Sequence, residues 1–223
     1  MVSIAIDGPA GAGKSTIAKT VSKKLGYIYV DTGALYRTVS LKFSAAGATP
    51  EKIENVDEIL SNLSVNIEFK DGEQRMILDG VDVTDKIRTP EVSMMASAVS
   101  AIPAVRAFLL ETQRRLAREN NVIMDGRDIG TVVLPDAKIK IFLTASPEAR
   151  ADRRYKELIE KGMDVKYDDV LSDIIKRDHN DSTRAVAPLK PAEDSIFVDT
   201  SGNTLEESVN RLSEIIEREL ANV

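Results

Sequence analysis

The segment from Gly8 to Ser15 constrains the fold more than any other, because it reads Gly-Pro-Ala-Gly-Ala-Gly-Lys-Ser and fits the pattern GxxxxGK(S/T). An apolar run at residues 2–6 precedes it, and helix-like sequence begins at Thr16. In this strand–loop–helix order, glycines let backbone N–H groups converge on an anion at a helix N-terminus. We expect Lys14 to contact the β- and γ-phosphates of a nucleoside triphosphate and the Ser15 hydroxyl to ligate Mg²⁺. The alternative is a glycine-rich turn in which Lys-Ser occurs by chance.

Composition narrows the class of protein. Of the 223 residues, 43% are hydrophobic and 30% are charged, as in ordinary soluble globular proteins. A net charge of −6 argues against broad attraction to nucleic acid or anionic lipid, and the lack of cysteine excludes disulfides, zinc thiolates and thiol catalysis. No apolar run approaches the roughly 18 residues of a membrane span, and no basic segment precedes the first strand. We expect a cytoplasmic monomer without nucleic-acid or membrane partners.

Short apolar runs alternate with longer helical patterns. Nearly continuous apolar runs are typical of parallel strands that are covered on both faces. Helix starts are indicated at Pro103, at Ser146 and at the capping-box residue Thr204. The alternation predicts an α/β fold with a doubly wound, parallel, five-stranded sheet flanked by helices, whose ligands bind at the carboxyl ends of the strands. The five runs are residues 2–6, 27–30, 122–124, 139–143 and 196–198.

One region interrupts the alternation. Two strand-like stretches, at residues 64–69 and 75–78, flank a hairpin signal that contains Asp71-Gly72. The sequence therefore predicts a small antiparallel β insert, from about residue 64 to residue 83, attached to the parallel core.

Polar side chains follow the second predicted strand. Asp31, Thr32, Tyr36 and Arg37 place a carboxylate, a hydroxyl, a phenol and a guanidinium at its carboxyl end and along the next helix. Arg37 is suited to bidentate recognition of a second phosphate group, with Thr32 and Tyr36 as further donors. The alternative is that Asp31 only caps the helix, while Tyr36 and Arg37 lie on an ordinary helical surface.

A second polar cluster follows the third predicted strand. Asp125 comes directly after the strand, in the position of a Walker-B acid, and could bind Mg²⁺ through water. Arg127 and Asp128 extend into the same cleft as the glycine-rich loop. The alternative is a tight turn in which Gly126 and Gly130 supply backbone freedom and nothing more.

Basic residues crowd the helical sequence between residues 150 and 184, which on its own predicts only a solvated face. Within it, Arg177, Asp181 and Arg184 have the i, i+4, i+7 spacing that places side chains on one helix face, where they can address one ligand. An exposed ladder of ion pairs would have the same spacing. We interpret His179, the only histidine, as a surface residue and not as a base or metal ligand.

Together these motifs resemble those of bacterial cytidylate kinases, and the resemblance covers essentially the whole chain. It implies a nucleoside-monophosphate (NMP) kinase fold that transfers the γ-phosphoryl group of ATP to CMP or dCMP with Mg²⁺. It also implies a core at residues 1–62, 84–149 and 185–223, an NMP-binding insert at about 63–83 and a helical lid at about 150–184. In order, the motifs are residues 8–15, Asp31-Thr32-Gly33-Ala34-Leu35-Tyr36-Arg37, Asp125-Gly126-Arg127-Asp128-Ile129-Gly130-Thr131-Val132-Val133, and Arg177-Asp178 through Arg184-Ala185.

Roles follow from the resemblance by matching position. The residues that would hold ATP are Gly8, Pro9, Ala10, Gly11, Ala12, Gly13, Lys14, Ser15 and Thr16, with Ser15 and Asp125 on the metal. Those around the CMP phosphate would be Thr32, Tyr36, Arg37, Arg127 and Arg184. Cytosine would be read by Ser97, Arg106 and Asp128, and the ribose held by Arg177 and Asp181. The groups acting on the transferring phosphoryl would be Lys14, Arg127, Arg184 and the lid arginines Arg153 and Arg154.

Two other functions remain open on the sequence alone. A kinase for another small acceptor would use the same loop, and a hydroxyl acceptor would call for a base, for which Asp31 is the candidate. A nucleotide-dependent switch would also use the loop, but the chain has no Asn-Lys-x-Asp motif to read guanine, and a second set of arginines would have no task. A phosphate acceptor is already anionic and needs no strong base, which suits a chain with one histidine and no cysteine.

Overall fold

The computed structural model describes residues 1–70 and 73–222, which form a parallel sheet covered by helices and a second, small sheet. A π-helical turn (Ile129–Val133) follows the third strand of the main sheet. In chain order, the other elements are β1 (Ser3–Asp7), α1 (Lys14–Leu25), β2 (Ile28–Asp31), α2 (Thr32–Ala45), α3 (Val56–Ser61), β3 (Val65–Lys70), β4 (Glu73–Leu78), β5 (Val81–Asp82), α4 (Pro90–Val99), α5 (Pro103–Glu119), β6 (Val122–Gly126), β7 (Ile139–Thr144), α6 (Pro147–Glu160), α7 (Tyr167–Thr183), β8 (Ile196–Asp199) and α8 (Leu205–Leu220).

The main sheet has the strand order β2-β6-β1-β7-β8, and all its pairs are parallel. Successive side chains of a strand point to opposite faces. Ile4 and Ile6 of β1 therefore pack with residues of α1 and α8, whereas Ala5 packs with residues of α5 on the other face. Because both faces are covered, the strands are apolar without alternation, and the predicted doubly wound five-stranded sheet is confirmed.

Aspartates meet at one edge of this sheet. Asp31 at the end of β2 lies opposite Asp125 in β6, and Asp7 at the end of β1 lies opposite Gly126. The three strands run one or two residues further than the apolar runs suggested, because backbone pairing continues through the polar residues. The glycine-rich loop and the segments after Asp31 and Asp125 therefore start from the same edge.

The predicted antiparallel insert is confirmed for the residues that the structure describes, as β3, β4 and β5 pair antiparallel. Asp71-Gly72, which we expected to form its turn, lies outside those residues. Met76 of β4 is buried in the same cluster as Leu35 of α2. The Gln74 side chain accepts a hydrogen bond from the backbone N–H of Asp31 at 2.9 Å, so the insert is attached over the end of β2.

The basic stretch forms a helical hairpin of α6 and α7 with a small core of its own, which includes Leu158 and Ile174. The three predicted helix starts are confirmed. Ser146 caps α6, Pro103 is the first residue of α5, and Thr204 forms a capping box at the start of α8. Among the described residues, no single helix is long and apolar enough to cross a membrane, although α4 and α5, bent by 99°, pass that test as a pair.

The glycines at the end of β6 and in the segment after it are explained by close packing. Neither Gly126 nor Gly130 has a positive φ, so backbone freedom does not explain them. A Cβ on Gly126 would instead lie 2.6 Å from a methyl carbon of Ile129 and 2.8 Å from the Thr32 hydroxyl oxygen. The glycine lets the end of β6 approach the start of α2.

We expect Gly8→Ala to lower the free energy of unfolding by about 3 kcal/mol or more, as strong steric conflicts do. Gly8 has a φ of +151°, and a Cβ there would lie 1.8 Å from the carbonyl oxygen of Leu143 in β7. The matched control is Gly202→Ala, whose Cβ would have nothing within 4 Å. Chemical denaturation of both variants measures the difference, and equal midpoints would contradict this account.

Candidate active site

The phosphate loop, residues 8–15, connects β1 to α1. Gly13 caps the helix with a φ of 90°, so the unpaired N–H groups of the first turn border the loop. Lys14 is only 5% exposed, and its Nζ donates to the carbonyl of Pro9 at 2.7 Å. Burial and the positive charge of Arg127 lower the pKa of Lys14 to about 7. A bound polyanion would favour the charged form again, so the loop is suited to phosphate.

Asp125 lies beside the phosphate loop, as expected. The Ser15 hydroxyl donates to its Oδ2 at 2.9 Å, and the Tyr29 hydroxyl donates to its Oδ1 at 3.0 Å. Burial and the negative charge of Asp31 raise the pKa of Asp125 to about 6. Mg²⁺ commonly takes one or two protein oxygens and completes its shell with phosphates and water. Ser15 and Asp125 fit that pattern, and residues 1–70 and 73–222 contain no group of three or more acidic or histidine side chains that could hold a metal ion.

Asp7 joins the end of β1 to the segment after β6. Its buried carboxylate accepts hydrogen bonds from the N–H groups of Ile129 at 2.8 Å and Gly130 at 2.7 Å. Burial raises its pKa to about 6, although the two hydrogen bonds act in the opposite direction. These bonds hold Asp128, the preceding residue, near the phosphate loop. Sequence reasoning missed Asp7, for which an acid next to the loop was the available signal.

We expect Asp7 to make the unliganded protein less stable as the pH rises. The pKa of about 6 in the folded protein exceeds the ordinary 3.8, so folding is favoured while the acid is protonated, and this advantage is lost as the pH rises to 6. The difference corresponds to about 3 kcal/mol. The free energy of unfolding of Asp7→Asn, minus that of the parent, should therefore rise between about pH 4 and about pH 6. Urea titrations measure it, and a constant difference would contradict the assignment.

Cationic side chains from separate segments surround Lys14. Arg127 donates from Nε to Asp181 at 2.8 Å, and Arg37 donates from Nη2 to Asp31 at 2.8 Å. Burial, together with the positive charges of Arg127 and Arg37, lowers the pKa of Arg177 to about 10. The positive charge of Arg177 also acts on Lys14. Arginines of α2, α7 and the segment after β6 thus meet beside the phosphate loop, in a cleft where aspartates pair with Arg37 and Arg127.

Several buried nitrogen atoms of this cleft lack a hydrogen-bond partner. Among the described residues, they are Nε of Arg37, Nε of Arg177 and Nη2 of Arg184, the last of which has only a carboxylate oxygen of Asp128 at 3.5 Å beside it. Buried donors nearly always have partners, and leaving one unsatisfied is costly. Guanidinium groups match the oxygens of phosphate in geometry and charge. The orphaned nitrogens therefore indicate a binding site for an anion.

Asp128 forms one wall of the cleft together with two arginines. Arg106 donates from Nη2 to Asp128 Oδ2, and Arg184 Nη2 lies 3.5 Å from Oδ1. Burial raises the pKa of Asp128, which is 4% exposed. Arg106 also donates to the carbonyl of Ser100 at 3.1 Å, and its guanidinium lies 5.7 Å from the centre of the Tyr36 ring. The wall combines acceptors, donors and an aromatic face, as the recognition of a heterocyclic base requires.

Arg184 reaches this wall from beyond the end of a helix. We predicted one helix face for Arg177, Asp181 and Arg184, but α7 ends at Thr183, and Arg184 has the extended angles φ −59° and ψ 141°. The prediction is therefore wrong for Arg184. The alternative of an exposed ion-pair ladder is wrong as well, because the side chains of Asp181 and Arg184 are 7% and 8% exposed. His179, in contrast, is exposed, as predicted.

The proposed lid arginines lie away from the cleft. Arg153 donates from Nη2 to the carbonyl of Thr200 in the β8–α8 connection, and Arg154 pairs with Glu157 at 2.9 Å on the exposed side of α6. A backbone carbonyl and a surface carboxylate satisfy these two guanidinium groups. The structure thus does not bring the expected catalytic residue Arg153 to the phosphate loop.

The hydrogen-bond partners of the hydroxyl groups near the cleft differ from those that we expected. Thr32, expected to donate to phosphate, donates to the carbonyl of Asp125 at 2.7 Å. The Ser97 hydroxyl has no hydrogen bond to another described residue, whereas Ser100, which sequence reasoning missed, accepts from Arg184 at 3.2 Å. Asp31 both caps α2 and pairs with Arg37, so the cap and the arginine contact coexist. The other residues that were missed are Tyr29, Gln74 and Arg150.

Comparison with known proteins decides the family, since the family model described as cytidylate kinase matches residues 4–218. The chain belongs to the cytidylate kinase family. A cytidylate kinase from Caldicellulosiruptor saccharolyticus is 52% identical over 221 residues, covering 99% of this chain and 98% of that protein. A cytidylate kinase from Carboxydothermus hydrogenoformans is 50% identical over 215 residues, covering 96% of this chain and 97% of that protein.

One solved structure shares the fold at low sequence identity. A solved structure of a protein from Eubacterium ventriosum matches with a TM-score of 0.53 at 12% identity, covering 97% of this chain and 99% of that one. At this identity the likeness concerns the fold alone. The positions of the cleft residues therefore come from this chain's own structure.

Proposed function

We propose that the protein transfers the γ-phosphoryl group of ATP to CMP, giving ADP and CDP. The observation that carries the proposal is the pair of unsatisfied guanidinium nitrogens, Nε of Arg37 and Nε of Arg177, in the cleft beside Lys14. They supply a second anion site next to the phosphate loop, as a phosphate acceptor requires. The relatives' name, cytidylate kinase, agrees with this acceptor.

The donor would bind along residues 8–16, with its phosphates on the backbone N–H groups and Lys14. An open cleft of about 460 Å³, lined by Pro9, Ser146 and Ser201, adjoins the loop and has room for the base. Ser15 and Asp125 would hold Mg²⁺, which supplies charge neutralisation at the phosphate oxygens when bound.

The acceptor phosphate would be held by Arg37, Arg127 and Arg184, with Tyr36 beside it. Cytosine has an exocyclic amino group next to the acceptors N3 and O2. Asp128 would accept from the amino group, while Arg106 would donate to the ring together with Ser97. Uracil has a carbonyl in place of the amino group, so two acceptors would face each other. The expected discrimination is about 1–3 kcal/mol or more.

The ribose would contact Asp181 and Arg177. Although burial opposes it, Arg127 lowers the pKa of Asp181, so the carboxylate is charged and can accept from a hydroxyl group. Deoxyribose loses one such bond, which is worth about 1.5–3 kcal/mol when the partner is charged. Because the proposed contacts to the phosphate and the base do not involve the lost hydroxyl, we extend the proposal to dCMP as a second substrate.

The chemistry would depend on position and charge, without a strong base. The acceptor oxygen is anionic already, and a loose transition state is stabilised by surrounding cations. Asp31, the candidate base for a hydroxyl acceptor, caps α2 and contacts both Arg37 and Arg88, so it is committed to other partners. This disfavours a kinase for a hydroxyl acceptor.

The domain roles extend the same proposal. Residues 1–62, 84–149 and 185–223 would form the core, residues 63–83 the NMP-binding insert and residues 150–184 a lid that closes to exclude water. Closure would have to free Arg153 and Arg154 from their present partners before they could reach the phosphates. We further propose a cytoplasmic monomer, and its net charge of −6 argues against binding to nucleic acid or anionic membranes.

The test is ADP formation from ATP and Mg²⁺ with and without CMP, dCMP, UMP and AMP. We expect ADP to form only with an acceptor, fastest with CMP or dCMP. Slow hydrolysis that no acceptor accelerates would indicate a nucleotide-dependent switch instead. A faster rate with AMP or UMP than with CMP would contradict the proposed reading of the base.

A further inference from the structure

Arg150, in the first turn of α6, connects three parts of the molecule and has no role in the function proposed above. Its side chain is 2% exposed. Nε donates to the carbonyl of Ala145 at 2.9 Å, and Nη1 donates to the carbonyl of Ala10 in the phosphate loop at 3.0 Å. Nη1 and Nη2 also bind the two carboxylate oxygens of Asp178 in α7. One guanidinium group thus links the end of β7, the phosphate loop and α7.

The aliphatic part of the Arg150 side chain packs against the backbone of the phosphate loop. Gly11 has a φ of +75°, and a Cβ on it would lie 3.4 Å from Cβ of Arg150 and 3.8 Å from its Cγ. The loop backbone therefore rests on the stem of Arg150 while its carbonyl at Ala10 accepts from the head. Both contacts fix the depth of the phosphate loop relative to α6.

Asp178 carries the constraint into the acceptor side of the cleft. It follows Arg177 directly and precedes Asp181 by three residues, less than one turn of helix. Arg177 has an unsatisfied buried nitrogen, and Asp181 holds Arg127 at 2.8 Å. The bidentate pair with Arg150 is therefore made by the same helix, α7, that carries these two residues of the acceptor side.

We propose that Arg150 is a positioning residue that, through Asp178, sets the separation of the donor and acceptor phosphates. This rests on the proposed function, because the separation matters only if a phosphoryl group passes between two nucleotides. Arginine is required because its planar fork serves the carboxylate and a loop carbonyl together, which the single ammonium group of lysine cannot do. A displacement of about 1 Å at a reacting centre costs about 100-fold in rate.

The experiment compares Arg150→Lys, Asp178→Asn and the double variant with the parent in steady-state kinetics. We expect each single variant to lower kcat for CMP about 100-fold, with a smaller change in the KM for either nucleotide. The double variant should be no worse than Arg150→Lys, because that substitution already breaks the link to Asp178. The matched control is Arg115→Lys, which alters an exposed Arg115–Glu119 pair on α5 and should retain the parent's kcat.

A purely structural role predicts a different pattern. It would lower the unfolding midpoint and the amount of active enzyme, leave kcat per active site unchanged and give additive effects. Hydrogen exchange separates this proposal from the proposed function, because Asp178→Asn should speed exchange in both the phosphate loop and residues 177–184 even if the parent phosphorylates no CMP. An active parent whose variants keep its kcat would overturn the positioning role alone, as would unchanged exchange in either segment.

Discussion

Lys14→Ala is expected to lower kcat about 1,000-fold while the protein stays folded, in line with the loss of one preorganised donor from a transition-state site. The parent buries Lys14 with a pKa lowered to about 7, so the unliganded protein holds this charge at a disadvantage. That disadvantage is removed only when phosphates enter the loop. The lysine thus contributes to the loaded site more than to the empty fold.

The measurement is kcat with saturating ATP and CMP, together with a thermal unfolding curve of the unliganded variant. Lys19→Ala is the matched control, since Lys19 lies on the same helix and its side chain is 55% exposed in a pair with Glu73. We expect that variant to keep kcat within about a factor of three, as exposed pairs contribute little. A kcat of Lys14→Ala close to that of the parent would contradict a role of the phosphate loop in phosphoryl transfer.

The sheet and the location of the site were predictable because they depend on local pattern. Apolar runs such as residues 122–124 are typical of covered strands, and the carboxyl ends of parallel strands lie at one edge of the sheet. Asp31 and Asp125 follow two such runs, so their proximity follows from topology without knowledge of any side chain. In the structure they lie directly opposite each other.

Side-chain partners were not predictable, because they depend on elements that are distant in sequence. Arg150 and Arg153 belong to the same basic stretch of α6, yet one binds the phosphate loop and the other a carbonyl at Thr200. Helical spacing cannot separate them, since the difference arises from what packs against each face. The prediction for Arg184 was wrong for a related reason, because it assumed that α7 continues past Thr183.

Asp128→Ala is expected to lower kcat/KM for CMP about 1,000-fold and to change the KM for ATP little. A hydrogen bond between a buried site and its substrate contributes strongly to kcat/KM, and the variant would lack the acceptor for the amino group of cytosine. Asp128 is 4% exposed, and its carboxylate is the partner of Arg106 and neighbours Arg184. Without this carboxylate, the positive charges of the two arginines would repel each other in a buried environment, and the amino group of cytosine would lose its acceptor. Both consequences fall on the acceptor side, since the phosphate loop binds Arg150 and not these residues.

Asp128→Asn separates the reading of the base from the loss of the buried charge. The amide has the same shape and can donate where the carboxylate could only accept, so it can face the uracil carbonyl. We therefore expect the ratio of kcat/KM for CMP to that for UMP to fall by about 10- to 100-fold in this variant. This ratio is measured for the parent and for the variant with saturating ATP and Mg²⁺. An equal loss for CMP and UMP would leave Asp128 as a support for Arg106 and Arg184 and would end its role in recognising cytosine.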